Sequence, residues 1–226
     1  QMLGPNYTRM VMNLNLPEEG TDTFAFLKTV HSIVEKYYDA DDVYLVGNST
    51  SDYDQSVSFA RDNVMISVLS VVFVILVLLF TFQSVGLPLL LILVIQGSIW
   101  INFTWPYVNG DPLFFVGYLI VTAIQMGANI DYAIVVSNRY ITLRQNNSKR
   151  ASITAALNGA LPTLITSGSI LAIAGLLIGF LSTEATTSDI GIALGRGTFI
   201  SLLLVAFVLP QLLLWGDKFI KKTTFA

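Results

Sequence analysis

Five apolar stretches, each long enough to cross a bilayer, constrain this chain more than anything else in it. They run roughly over residues 63 to 82, 86 to 105, 113 to 141, 161 to 181 and 190 to 215. A spanning helix needs about 20 such residues, and in hydrocarbon only helices and closed barrels satisfy their own backbone groups. Composition agrees: 54% of the 226 residues are hydrophobic, 12% are charged, and the mean hydropathy is +0.67, far beyond a soluble domain. The chain reads as an integral membrane protein. Pro88, Pro112 and Pro162 fall near the starts of spans, where a missing N–H does no harm. The third stretch is long enough that it should tilt or emerge from the bilayer.

Residues 1 to 62 belong to a different regime. They carry ten acidic and four basic residues and read as soluble. "YTRMVMNLNL" alternates like a strand, with Met10, Met12, Leu14 and Leu16 on one face. "PEEG" then reads as a turn, and Thr21 or Thr23 as the cap of a helix with Phe24, Leu27, Val30, Val34 and Tyr38 at helical spacing. "VYLVG" reads as a second strand. Such a β-α-β unit buries little core alone, so it is expected to pack on further protein, and the chain reads as a piece of something longer. His31 reads as a surface residue.

The basic residues orient the spans. Arg139, Arg144, Lys149 and Arg150 surround the connection after the third span, and Lys218, Lys221 and Lys222 lie in the tail. "PYVNGD" and "STEATTSD", on the other side, hold no Lys or Arg. The positive-inside rule then makes the basic end and the C-terminus cytoplasmic and residues 1 to 62 extracytoplasmic. Trp100, Trp105 and Tyr107 suit an interfacial belt at the outer end of the second span.

Asp131 sits in the third span within "GANIDYAIVVSNRY", where a carboxylate costs about 2.5 to 3.5 kcal/mol on insertion scales. At 100° per residue, Met126, Ile130, Ala133 and Ile134 form a stripe expected to face lipid. Asp131, Tyr132, Asn138, Gln125 and Asn129 fill the other sector, expected to face protein or water. Gly127 and Ala128, one turn above, would let a helix approach. Three readings stand: a carboxylate held by a permanent partner, a carrier whose proton affinity changes with its surroundings, or a cation or substrate ligand. Arg196 is the other charge deep in the membrane, but roughly 13 Å away along the normal, which makes a direct pair doubtful.

These residues resemble a known family. "GANIDYAIVVSNRY" is similar to the Gly-x-Asp-Tyr motif in the fourth helix of each half of RND superfamily transporters, specifically the MMPL type. "ASITAALNGALPTLITSGSILAIAGLL" resembles that family's amphipathic connector and fifth helix, and "IGIALGRGTFISLLLVAFVLPQLLL" its sixth helix ending at a proline. "YLVGNSTSDYDQSVSFARDN" resembles the end of the outer domain leading into the second helix. The resemblance implies a membrane all-α helix bundle, the five transmembrane helices of an RND-type half, with a small extracytoplasmic α/β (β-α-β) piece. Residues 1–62 would be the end of a porter-like domain and 63–226 the transmembrane bundle.

By the same resemblance Asp131 and Tyr132 are the proton relay. Asn129, Thr163, Thr166, Ser167 and Arg196 are candidates to support it, although mid-helix hydroxyls often bond back to their own backbone and Arg196 reads slightly better as snorkelling outward. The sequence departs from the pattern at Asn129, where many relatives have glycine, and at Asn138, where an apolar residue or serine is usual. The implied function is proton-driven export of lipids or other amphiphiles across a bacterial inner membrane. No cofactor is expected beyond protons as coupling ion, and the enzyme and nucleic-acid-binding classes are not expected. Implied partners are the bilayer, the other RND half, an amphiphilic substrate and an oligomer. A sterol-sensing, Patched-like lipid-binding bundle and a SecDF-type translocation assistant are the alternatives. No Gly-x-x-x-x-Gly-Lys loop occurs for ATP-driven transport.

Two minor signals complete the reading. Asn6, Asn48, Asn102 and Asn146 begin Asn-x-Ser/Thr patterns, too short to assign glycosylation. Gly175 and Gly179, like Gly191 and Gly195, have the spacing of tight helix packing rather than of dimerisation.

Overall fold

The computed structural model describes residues 2–3, 8–17, 20–39, 42–110 and 115–224. The expectations that touch Asn6, Tyr7, Glu18, Glu19, Asp41, Asp111 and Pro112 lie outside the described residues. The chain divides into two compact units, Gln1–Asp62 and Asn63–Ala226.

In the first unit the β-α-β reading fails. β1 (Met2–Leu3) and β2 (Thr8–Arg9) form a two-residue antiparallel ladder. Residues 10–17 follow without a partner strand, leaving Met10 and Met12 exposed. Among the described residues "VYLVG" pairs with no strand, and Tyr44 and Val46 are also exposed. Alternating residues make a strand only when a neighbour takes up the backbone groups and a core covers one face; the described residues of this unit provide neither. The helix is real: α1 spans Thr21–Tyr37 with Leu27 buried, Asp22 in its first turn and Lys36 in its last, the favourable order for the helix dipole. Neither threonine caps it. Gly20 is the N-cap at φ 144°, and buried Thr23 instead donates to the Pro17 carbonyl (2.7 Å). His31 is half-buried, its ring 5.6 Å from that of Tyr53, so it is less of a surface residue than its sequence context suggests.

The second unit is the helix bundle, and its boundary falls within α2 (Asn48–Phe82). After α2 come α3 (Gly86–Asn109), α4 (Phe115–Arg144), α5 (Lys149–Leu181) and α6 (Ala185–Leu203), then a π-helical turn (Leu204–Val208) and α7 (Leu209–Lys222). Among the described residues five segments are long and apolar enough to span: Asp62–Phe82, Gly86–Asn109, Gly117–Arg144, Lys149–Leu181 and Ala185–Lys222. The core lies among α3, α4, α5 and the last span, around Leu91, Ile95, Val136, Leu164, Leu209 and Leu213. From α2 Leu78 is fully buried, with Val71, Val74 and Phe82 beside it.

Two prolines behave differently from expectation. Pro162 is interior to α5 rather than near its start, because the connector and the span form one continuous helix from Lys149. Pro210 does not end the last helix: the chain continues to Lys222. A proline ring collides with the carbonyl four residues back, here Ala206, and that carbonyl lies in the wide π turn, which relieves the crowding.

The four glycines of the small-residue motifs face one another where α5 crosses α6. A Cβ on Gly175 would stand 2.7 Å from the Gly195 nitrogen, and one on Gly195 2.9 Å from the Ala172 carbonyl. They set a backbone-to-backbone contact inside the chain. At one end of the bundle the α2–α3 turn meets the C-terminus: Val85 N–H donates to the Thr223 carbonyl (3.2 Å) and Gly86 N–H to the Thr223 hydroxyl (3.0 Å). Arg144, Lys149 and α7 lie at this same basic end.

Candidate functional site

α4 presents its faces differently from the helical-wheel expectation. Met126, Ile130 and Ala133 are buried, at 5%, 9% and 0% exposure, rather than turned to lipid. The polar sector splits: Gln125, Asn129 and Tyr132 are buried, while Asp131 and Asn138 lie on the exposed surface of the bundle. A wheel ranks residues by polarity, but α4 packs between α3, α5 and α6, whose own polar residues meet the Gln125 and Asn129 side. Gly127 has no neighbour close to where a Cβ would stand, so no described helix uses the gap above Asp131.

Asp131 lies about 20 Å from either end of its span, near the middle of Gly117–Arg144. Among the described residues no hydrogen bond or ion pair holds its carboxylate. Tyr132, next along the helix, is buried in the core cluster, in reach of the Ser167 side chain of α5. Ser167 in turn donates to the Thr163 carbonyl (2.9 Å), and Thr166 to the Pro162 carbonyl (2.8 Å). Thr163, Thr166 and Ser167 are exposed along α5. Tyr132 of α4 is buried and Ser167 of α5 exposed, with Thr163 a turn away on α5; Asp131 precedes Tyr132 in the chain and is exposed.

Asn129 and Arg196 belong to a second, interior network. Asn102 on α3 donates to Gln125 Oε1 (3.0 Å) and to the Ala193 carbonyl (2.9 Å), and its Oδ1 accepts from Arg196 Nε (2.9 Å). Gln125 Nε2 reaches the Gly197 carbonyl (3.3 Å), and Asn129 Nδ2 donates to Ser98 Oγ (3.0 Å). Gly197 is required here, because a Cβ would collide with Asn102 and Gln125. Arg196 therefore turns inward to an amide rather than snorkelling. Farther along the same side of α4, Ser137 is fully buried.

Sequence reasoning missed Asp217. It is 3% exposed on α7, accepts from the Tyr140 hydroxyl (2.8 Å), and pairs with Arg144 through Nε (2.9 Å) and Nη2 (3.2 Å) and with Lys149 Nζ (3.3 Å). One carboxylate thus ties α4, α5 and α7 together at the basic end of the bundle. In sequence it is one more charge in a basic tail. Its signal is the spacing Leu209, Leu213, Asp217, Ile220, which places the acid on the buried face of an amphipathic helix.

Comparison with known proteins places the chain in a family. Membrane protein ActII-3 of Streptomyces coelicolor is 25% identical to the chain over 212 residues; the match covers 91% of the chain and 30% of that protein. The chain therefore spans less than a third of that relative's length. The family model described as the MMPL family matches residues 6–223, nearly the whole sequence. This chain belongs to the MMPL family.

Proposed function

We propose that the chain is the membrane-embedded part of an RND-type transporter that uses a proton gradient to export lipids or other amphiphiles, with Asp131 as the group that takes up and releases the proton. The observation that carries this reading is the place of Asp131: mid-span, on the surface of its own bundle, with no fixed cation among the described residues. Left against lipid, the carboxylate would cost several kcal/mol, so water or a second, similar helix set covers this face in the assembled protein. A permanently paired carboxylate would look different, and Asp217 shows how: buried, with three donors around it.

Tyr132 and Ser167 give the relay its local coupling. Asp131 adjoins Tyr132 in the chain, and the phenol lies in reach of Ser167 on α5. Neutralising Asp131 then changes the α4–α5 contact, and the glycine crossing carries a shift of α5 to α6. Protons would enter from the extracytoplasmic side, along a potential worth about 2.3 kcal/mol per 100 mV. The basic end is cytoplasmic, in a bacterial inner membrane, by the positive-inside rule, and exposed Trp100 and Trp105 would sit in the outer interface. The test is Asp131→Asn in the full-length protein in proteoliposomes, with efflux of a fluorescent phospholipid analogue driven by an imposed pH gradient. Efflux should fall to the level seen with an uncoupler; unchanged efflux would remove Asp131 from the mechanism.

A further inference from the structure

At the basic end of the bundle the charges do not balance. Seven Lys and Arg lie between Arg139 and Arg150 or from Lys218 onward, against a single acid in those segments, Asp217, and Asp217 is taken by Arg144 and Lys149. Arg139 is left over. It is exposed, and among the described residues no hydrogen bond or ion pair meets its guanidinium. Nor does it reach out past the helix end. Side chains on a helix lean toward its N-terminus, here away from the basic end, and the guanidinium lies across α5 at Gly159, where any Cβ would collide with Nη1. Its depth is that of lipid phosphate. The span Gly117–Arg144 has 28 residues, about 42 Å at 1.5 Å per residue, which matches a bilayer of about 40–45 Å whose hydrocarbon core is about 30 Å. Arg139 stands about 7.5 Å in from the end of that span, where headgroups give way to hydrocarbon. Beside it, between α4 and α5, opens a mostly apolar depression of about 240 Å³, lined by Asn138, Arg139, Thr142, Leu143 and Ala155. The Thr142 hydroxyl already donates to the Asn138 carbonyl (3.0 Å), which leaves the Asn138 amide and Arg139 as its donors. Arg139 follows Asp131 by a rotation of about 80° round α4, so whatever covers Asp131 need not cover this site.

From this we infer that the α4–α5 depression binds one anionic phospholipid of the leaflet at the basic end. Its phosphodiester sits on the Arg139 guanidinium, its glycerol at Asn138, and the start of an acyl chain over Leu143 and Ala155. Charge complementarity selects this occupant. The guanidinium fork matches a phosphate bidentately, and basic pockets between spanning helices suit anionic headgroups. The ammonium of a zwitterionic headgroup would instead stand among cations. A free phosphate would leave the apolar floor bare, and an uncharged lipid would leave the guanidinium unpaired. The bound lipid braces α4 against α5 at the end of the bundle where Asp217 braces both against α7.

The test is native mass spectrometry of the full-length protein in detergent, titrated with phosphatidylglycerol and, separately, with phosphatidylcholine. The tightest phosphatidylglycerol adduct should form at clearly lower lipid concentration than any phosphatidylcholine adduct. Arg139→Gln should weaken it about tenfold, through loss of the charge-assisted bidentate contact, and Arg139→Lys should recover part of this, since it returns the charge without the fork. Ala155→Trp, which keeps the charge but fills the depression, should weaken it to a similar extent. Lys222→Gln, an exposed charge of the tail, should change it by less than about twofold, as expected for a diffuse surface contribution. Phosphatidylcholine binding as tightly as phosphatidylglycerol overturns the anionic selectivity. A phosphatidylglycerol adduct unmoved by both Arg139→Gln and Ala155→Trp, or weakened as much by Lys222→Gln as by Arg139→Gln, overturns the site. Displacement of the lipid by millimolar inorganic phosphate would show a soluble-anion site and overturn the lipid as its occupant.

Discussion

Asn102→Ala tests the interior network most sharply, because one small change removes three hydrogen bonds. Asn102 is fully buried, and its amide serves Gln125, the Ala193 carbonyl and Arg196. Inter-helix hydrogen bonds in membranes average about 0.6 kcal/mol, with a maximum near 1.7. Two neutral bonds at the mean and the Arg196 bond near the maximum give roughly 3 kcal/mol. The larger values for fully buried charges do not apply, since Arg196 is only partly buried. Thr104→Ala on the same helix removes one exposed bond back to Trp100 and should cost close to nothing. The assay is reversible unfolding in bicelles, with Arg196→Met completing a double-mutant cycle that should show coupling of about 1 kcal/mol or more. A loss for Asn102→Ala below about 0.5 kcal/mol, or strict additivity with Arg196→Met, would refute this account of the network.

Two further outcomes follow from named contacts. Asp217→Ala leaves the Arg144 and Lys149 charges without their buried acceptor and should lower thermal stability clearly. The exchange Asp217→Arg with Arg144→Asp should recover part of the loss, and no loss in the single variant would show that the cluster does not hold the helix ends at the basic end of the bundle. Gly191→Leu forces α5 and α6 apart at a backbone contact, where overpacking costs about 1 to 3 kcal/mol. The melting temperature should drop, whereas Gly97→Ala, with nothing near its Cβ, should cost no more than a small fraction of this.

The spans were legible because a bilayer demands long apolar runs, and each of the five apolar stretches lies largely within one of the spanning helices. Asp131 was legible for the same reason, as the charge interrupting one of those runs. Its surroundings were not. The wheel of α4 is polar on two sides, and only the positions of α3 and α6 show that Gln125 and Asn129 meet Ser98 and Asn102 while Asp131 stays outside. Asp217 hid among tail lysines because its partners lie about 70 residues earlier in the chain. The two short strands were misread because alternation in residues 10–16 carries no information about whether a partner strand is present.

A proton-carrying Asp131 must change its protonation as the outer pH changes. Infrared difference spectra of the full-length protein between acidic and neutral outer pH should show a protonated-carboxyl band that disappears in Asp131→Asn. The same band at full intensity in that variant would contradict the claim that Asp131 carries the proton.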